Sequence, residues 1–256
     1  MKSLLRKLLP QFLLHHYRRF NRHRRQRLNR SKSVEQVFTE IYEKNLWGGS
    51  RGELCSGSGT DNEQVVTAYI SMISEQASSE GFLGLAFVDL GCGDFRVGQR
   101  LLPLCSDYLG VDIVMPLIHR NQEKYGNATT HFLHLDIVAD EFPGGDVCFV
   151  RQVLQHLSNN QILDVLIKLI KYQYIFITEH YPTDNDAIRP NMDKPHGGDV
   201  RVCDNSGVYL AELPFELPVQ TLKQVLEVPG VGLGEGMDPG VIRTFLYTPG
   251  SAAVPR

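Results

Sequence analysis

Leu85-Ala86-Phe87-Val88-Asp89-Leu90-Gly91-Cys92-Gly93-Asp94 is the stretch on which the reading of this 256-residue chain turns. Its first six residues form a short apolar run closed by glycines, the pattern of a strand buried on both faces of a parallel sheet. The remaining four form a glycine turn where that strand hands over to a helix, and two glycines there let the backbone approach a ligand closely. Open α/β sheets bind ligands at this place, outside the carboxyl ends of their strands. In the dinucleotide pattern G-x-G-x-x-G the third glycine position is occupied here by Arg96. Asp94 also sets a carboxylate beside the helix start, where a pyrophosphate would have to sit. A ligand without phosphate fits better.

Working outward, a helix over Arg96–Leu104 leads to a second strand, Tyr108–Asp112. A helix over Pro116–Tyr125, a third strand over Thr130–Asp136 and a fourth over Asp146–Val150 come next. A helix marked by Ile162, Leu163, Leu166, Leu169 and Ile170 precedes a fifth strand, Tyr174–Thr178. Strand and helix alternate through short links, which calls for an α/β fold with a Rossmann-like, doubly wound, mostly parallel sheet. Upstream, Val34–Trp47 has helical spacing and ends at Gly48-Gly49. A Gly/Ser-rich loop follows to Gly59, then a second helix capped by Thr60 or Asp61 and carrying Val65, Val66, Tyr69, Ile70 and Ile73. Downstream, 181–207 is polar and aperiodic, the kind of long loop that is functional or unstructured. Thr221–Val228 has helical spacing and Val241–Thr248 reads as a last strand. The expected organisation is an arm over 1–33, a helical cap with a lid loop over 34–80, and a ligand-binding domain over 81–256.

Composition agrees with a globular chain: 42% of residues are hydrophobic and 21% charged, which excludes disordered and fibrous classes. Five scattered cysteines without a CxxC pair suggest neither a disulfide framework nor a zinc site, so a reducing, cytoplasmic setting is expected and no metal is assigned. The net charge of -3 conceals an asymmetry. Residues 1–33 hold 11 Lys/Arg and no acid, whereas 34–256 hold 15 basic and 29 acidic residues. Leu4, Leu5, Leu8, Leu9, Phe12 and Leu13 recur at helical spacing before a block of arginines, so the arm is basic and amphipathic. Its apolar run is far shorter than the roughly 20 residues that a bilayer crossing needs. Three readings of the arm stand side by side: a solvated tail, peripheral contact with an anionic membrane surface at its inner face, and an Arg-rich, acid-free organellar transit peptide. Nucleic acid is a poorer partner, because the acidic body repels phosphates.

S-adenosylmethionine (SAM) is a phosphate-free adenosine compound, and each of its groups asks for a particular partner. Asp89, ending the first strand, can attract the ammonium, and Asp112, 23 residues on, can accept from both ribose hydroxyls. Asp136 can accept from the adenine amino group, with Ile113 and Ile137 as apolar walls. Gly91, Gly93 and Asp94 shape the turn beneath.

These residues carry a resemblance. The D-x-G-C-G-D motif at Asp89–Asp94, the G-V-D at 110–112 and the D-I at 136–137 resemble the SAM-binding positions of class I methyltransferases, over about residues 85–180. The resemblance implies that family's seven-stranded sheet, SAM as cofactor and methyl transfer as the reaction. Phe38–Gly48, Ser56–Thr60, Arg151–Ser158 and Gly198–Arg201 further resemble an uncharacterised bacterial subgroup, some of whose members are associated with surface-polysaccharide synthesis. Gln152 stands where that subgroup is expected to hold an acid, and Thr178-Glu179-His180 where it tends to have Thr-Thr-His. O-methylation of a small polar or glycan acceptor is the function this implies, with fold and family leaving the substrate open.

The cofactor's sulfonium activates the methyl group, so the chain must align an acceptor and, for a hydroxyl, take up its proton. His156 and His180, after the fourth and fifth strands, are the candidate bases. The alternative for each is a packing role. Arg151 can bind the methionine carboxylate or pair with a nearby acid. Trp47 can stack on the ligand or anchor the cap. Arg51 in the lid loop, and Asp199 with Arg201 in the polar loop, are candidate acceptor contacts. Competing readings are a non-catalytic SAM-binding scaffold tethered by its arm, a nucleic-acid methyltransferase using the basic arm, and a dinucleotide oxidoreductase.

Overall fold

The computed structural model describes residues 11–48, 53–185, 187–231 and 238–251. Five α-helices of ten residues or more are described: α1 (Gln11–Asn29), α2 (Val34–Glu43), α3 (Glu63–Glu80), α4 (Met115–Tyr125) and α5 (Asn159–Leu169). The strands are β1 (Ala86–Leu90), β2 (Asp107–Asp112), β3 (Thr130–His134), β4 (Val147–Arg151), β5 (Tyr174–Tyr181), β6 (Leu222–Pro229) and β7 (Val241–Tyr247). They form one sheet in the order β3-β2-β1-β4-β5-β7-β6. The first five pair in parallel, and β7 runs antiparallel to both β5 and β6. The chain leaves β1 toward β2 on one side, while β4 pairs on the other. A crevice therefore opens at the carboxyl ends of β1 and its neighbours.

Strand alternation sorts the core into two layers. Val88, Leu90, Cys148, Val150, Ile175 and Ile177 pack against Ile162, Val165, Leu166 and Leu169 of α5. Phe87, Phe149 and Phe176 on the opposite face meet Val66, Tyr69 and Ile73 of α3. Capping explains where the cap helix and α5 begin. Ser33 and Ser158 each accept from the backbone N–H three residues on, and Gln36 and Gln161 answer with a bond back to the cap.

Several expectations need correction. The segment Thr221–Val228 is not a helix but the edge strand β6. A register shift between Gln224 and Leu226 inserts an extra residue into the strand, and this bulge places Leu222, Val225 and Leu226 at a spacing that imitates a helical face. The expected helix over Arg96–Leu104 is a 3₁₀ segment, Gly98–Leu104, with Pro103 inside it; proline there removes a backbone donor and disfavours an α-helix. The cap helix stops at Glu43, four residues before Trp47, and α3 is capped by Asn62, whose side chain accepts from Val65 N at 3.0 Å. Asp136 lies two residues beyond the end of β3.

The basic arm folds back on the body. Arg22 of α1 is buried and bonds Asp204 at 2.5 Å, Arg25 pairs with Asp199, and Asn29 Nδ2 donates to His196 O at 3.4 Å. The tail reading is therefore corrected for 11–29: opposite charges on the polar loop hold this segment as a docked helix. No helix among the described residues is long and apolar enough to cross a membrane.

Candidate functional site

The site grows from the carboxyl end of β1. Gly91 and Gly93 have φ of +81° and +57°, and a Cβ on either would collide with a side chain, Val153 at the first and Ser56 at the second. Only glycine serves both the left-handed backbone and the close approach. Asn121 of α4, fully buried, donates to Gly93 O at 2.8 Å and Asp112 Oδ2 accepts from Gly93 N at 3.1 Å. Asp112 Oδ1 accepts from Val114 N at 3.0 Å. The glycine turn is thus clamped from two neighbouring elements.

A cleft opens above this turn, with about 1070 Å³ of empty space when the open solvent at its mouth is included. Asp89, Gly91, Gly93, Asp94, Asp112, Ile113, Asp136, Ile137, Arg151, Trp47 and His156 all line it. The acids at or just beyond the ends of β1, β2 and β3 therefore share one cavity. Asp89 accepts from the Tyr108 hydroxyl, and burial pushes its carboxyl up to about 6. Burial likewise raises Asp112 against the backbone bonds that lower it. A cation beside either carboxylate would favour its ionised form. Asp136 Oδ1 accepts from Val138 N at 2.8 Å, so its other oxygen has no partner among the described residues.

Arg151 enters at the exit of β4. Its Nη2 donates to Gly59 O at 2.7 Å and its guanidinium lies 5.3 Å from the Tyr69 ring centre. The pairing of Arg151 with a nearby acid is not found among the described residues, and its buried Nε has no hydrogen-bond partner. Burial lowers its pKa. A buried, partly unsatisfied guanidinium facing a cleft asks for an anion.

The lid loop is tied down by reciprocal hydrogen bonds. Ser56 N donates to Asp94 Oδ2 at 3.0 Å, and Asp94 N donates to Ser56 Oγ at 2.7 Å. The Tyr42 hydroxyl of α2 bonds the same Ser56 Oγ at 2.9 Å. Asp94 thus fastens the Gly/Ser loop over the glycine turn. Arg51 lies outside the described residues.

His156 forms an aromatic wall with Trp47 and Phe38, at ring-centre distances of 5.1 and 6.1 Å. Its Nδ1 donates to Gly197 O at 3.1 Å, since a carbonyl can only accept, which leaves Nε2 as an acceptor. Burial, helped by Lys194, holds its pKa down at about 3, so the ring is neutral at ordinary pH. Trp47 also reaches Gly198 O at 3.4 Å, linking cap and polar loop. Beneath His156, the fully buried Glu179 accepts from the N–H groups of Val153, Leu154 and Gln155 at 3.2, 2.8 and 3.1 Å, and burial pushes its pKa up to about 8. This carboxylate builds the turn that presents His156.

Three expected residues lie elsewhere. His180 does not line the cleft; its Nε2 bonds Pro239 O at 2.6 Å. Arg201 is 1% exposed and donates to Met192 O at 2.6 Å and Leu157 O at 2.8 Å. It ties the polar loop to the turn that follows β4, and Asp199 is engaged by Arg25 of the arm. Sequence reading missed Tyr42, Tyr69, Gln152 and Asn121. The first two had the spacing of core residues, and nothing in sequence marks Asn121. Gln152 has φ +56° and lies against Gly59, a strained backbone position at the cleft wall.

No protein-family model matches the chain. It is 33% identical over 76 residues to uncharacterized methyltransferases of Mycobacterium bovis and Mycobacterium tuberculosis; the match takes in 29% of this chain and 39% of the length of those relatives. Among solved structures it is similar to the N-methyltransferase NodS of Bradyrhizobium japonicum bound to S-adenosylhomocysteine, with a TM-score of 0.57, 14% identity, and coverage of 83% of this chain and 99% of that one. A SAM-dependent methyltransferase of Leishmania major follows at a TM-score of 0.55 and 11% identity, covering 84% of this chain and 83% of the other. The Burkholderia thailandensis 1,6-didemethyltoxoflavin N1-methyltransferase gives a TM-score of 0.52 and 12% identity, with 84% and 86% covered. The fold is therefore the Rossmann-like fold of class I SAM-dependent methyltransferases.

Proposed function

We propose that this chain is a SAM-dependent methyltransferase acting on a hydroxyl of a small polar or glycan acceptor. The observation that carries the cofactor reading is the convergence of Asp89, Asp112 and Asp136 with the unsatisfied Arg151 Nε on one cleft above a glycine turn. That donor set suits the cofactor's charges: acids for an ammonium, a ribose diol and an amino group, and one guanidinium for a carboxylate. Gly91 and Gly93 supply the cradle that a Cβ would fill. When bound, the cofactor supplies a methyl group already activated by its sulfonium.

The chain's own residues position and shield. Arg151 would hold the carboxylate end of the cofactor, and Ile113 and Ile137 would supply apolar contact for its adenine. The Ser56–Asp94 clasp keeps this part of the lid loop over the turn. His156 Nε2 is a fixed acceptor for a hydroxyl donor, and Trp47 and Phe38 offer apolar faces beside it. With a pKa near 3, His156 orients the acceptor and does not retain its proton at neutral pH. The oxygen's proton is released toward water as the methyl group is transferred. The preference for a glycan rests on the resemblance of residues 38–48, 56–60, 151–158 and 198–201 to the polysaccharide-associated subgroup.

Calorimetric titration of the full chain with SAM and with its demethylated product tests the cofactor. Micromolar binding is expected, weakened at least tenfold in Asp112→Ala, whose lost carboxylate served both the ribose and the turn. No binding by a well-folded wild type overturns the proposal. Release of the demethylated product with sugars or nucleotide-sugars as acceptors, set beside amines, then separates O-methylation from N-methylation.

A further inference from the structure

The arm helix α1 has two unlike faces. One faces the body through Arg22, Arg25 and Asn29. The other exposes Tyr17, Phe20 and Leu28, which are 55%, 68% and 57% accessible. Positions 17, 20, 24, 27 and 28 lie within about 100° of one another at 3.6 residues per turn, so Arg24 and Arg27 share that face with the three apolar side chains. Arg19, His23 and Arg30 flank it, and all are exposed. Among the described residues, Arg19, Arg24, Arg27 and Arg30 have no acidic partner, and the whole segment 1–33 contains no acid. The cations facing the body are neutralised; those facing outward are not.

We propose that α1 is an interfacial helix that lays this outer face on an anionic lipid bilayer while its inner face stays clipped to the polar loop. Charge complementarity selects the occupant. The body from 34 onward holds 29 acids against 15 bases, so this arginine-bearing face is the part of the chain that an anionic surface attracts. The apolar residues separate a membrane from a nucleic acid. Tyr17, Phe20 and Leu28 gain by entering the boundary between headgroups and acyl chains, whereas a phosphate backbone offers them nothing. The helix is also coupled to the cleft. It ends at Asn29, and Val34, at the start of α2, lines the cavity wall. His196 of the polar loop bonds Lys32 O at 3.1 Å in the link between them. Seating α1 on a bilayer would hold the cleft within a few residues' reach of the surface.

Co-sedimentation of the full chain with vesicles tests this, comparing phosphatidylcholine alone with phosphatidylcholine containing about one third phosphatidylglycerol, at low and high salt. Binding to the anionic vesicles only, falling with salt, is expected. Arg24→Glu with Arg27→Glu should weaken it at least tenfold, because each cation near such a surface contributes about fivefold. Phe20→Glu with Leu28→Glu should weaken it as well, with the melting temperature unchanged in both variants because all four side chains are exposed. Equal binding to neutral and anionic vesicles, or none to either, overturns the proposal. So does binding to a homopolymeric RNA that survives Phe20→Glu with Leu28→Glu, which would assign the arginines to a phosphate backbone.

Discussion

His156 shows how burial redefines a residue whose chemistry looks settled by type. Free histidine titrates near neutrality, but here the ring is walled by Trp47 and Phe38 and its pKa falls to about 3. The unfolded chain therefore binds a proton between about pH 6.5 and 3 that the folded chain does not. Stability then rises with pH across that window and is lost as pH falls through it. Replacing the ring with a side chain that does not titrate removes this contribution. Denaturant midpoints of wild type and His156→Gln, measured from about pH 7 to pH 4, should show the wild type losing up to about 1.4 kcal/mol more per pH unit. Parallel curves would place the histidine's pKa near its ordinary value. Beside it, Glu179 shows a carboxyl committed to backbone: three N–H donors define the turn carrying His156.

At the scale of elements, the site depends on how its helices and turns are started and fastened. Ser158 caps α5, whose apolar face covers β4 and β5, and Gln161 completes the capping box. Ser158→Ala should cost about 1 kcal/mol in urea unfolding, with cofactor affinity unchanged because α5 lies outside the cleft lining. A loss well below that would mean that Gln161 alone satisfies the helix start. The β6 bulge is a second case. Its register shift hides the two-residue alternation from anyone reading the sequence, while the antiparallel β7 still finds its partners on either side of it.

The molecule as a whole joins three separate segments at one cleft: the cap, the lid loop and the carboxyl edge of the sheet. Ser56, Asp94 and Tyr42 meet at one oxygen, so the lid and the glycine turn should tighten together when the cleft is filled. Saturating SAM, at about 100 times its Kd, should stabilise the full chain by about 2.7 kcal/mol through mass action, seen as a rise in melting temperature. Ser56→Ala should reduce that rise by weakening binding, since it removes the oxygen that accepts from Asp94 N and meets Tyr42. An equal shift in wild type and variant would show that the clasp does not contribute to holding the cofactor.

The sequence by itself determined the five parallel strands, the glycine turn after β1 and the order of acids Asp89, Asp112 and Asp136. Those features are written in local patterns: apolar runs closed by glycines, and an acid at or just beyond the end of each of the first three strands. It also showed the split between a basic arm and an acidic body. Tertiary structure alone decided which of several equivalent side chains face the cleft. Arg151 lines the cleft because β4 ends there, while Arg201 lies outside it and donates to the carbonyls of Met192 and Leu157. His156 borders the cavity and His180 turns to Pro239. Asp199 belongs to the arm because Arg25 comes back to meet it across 174 residues. The physical reason is that a polar side chain bonds whatever partner the fold brings within reach, and that partner is set by chain segments far away in sequence.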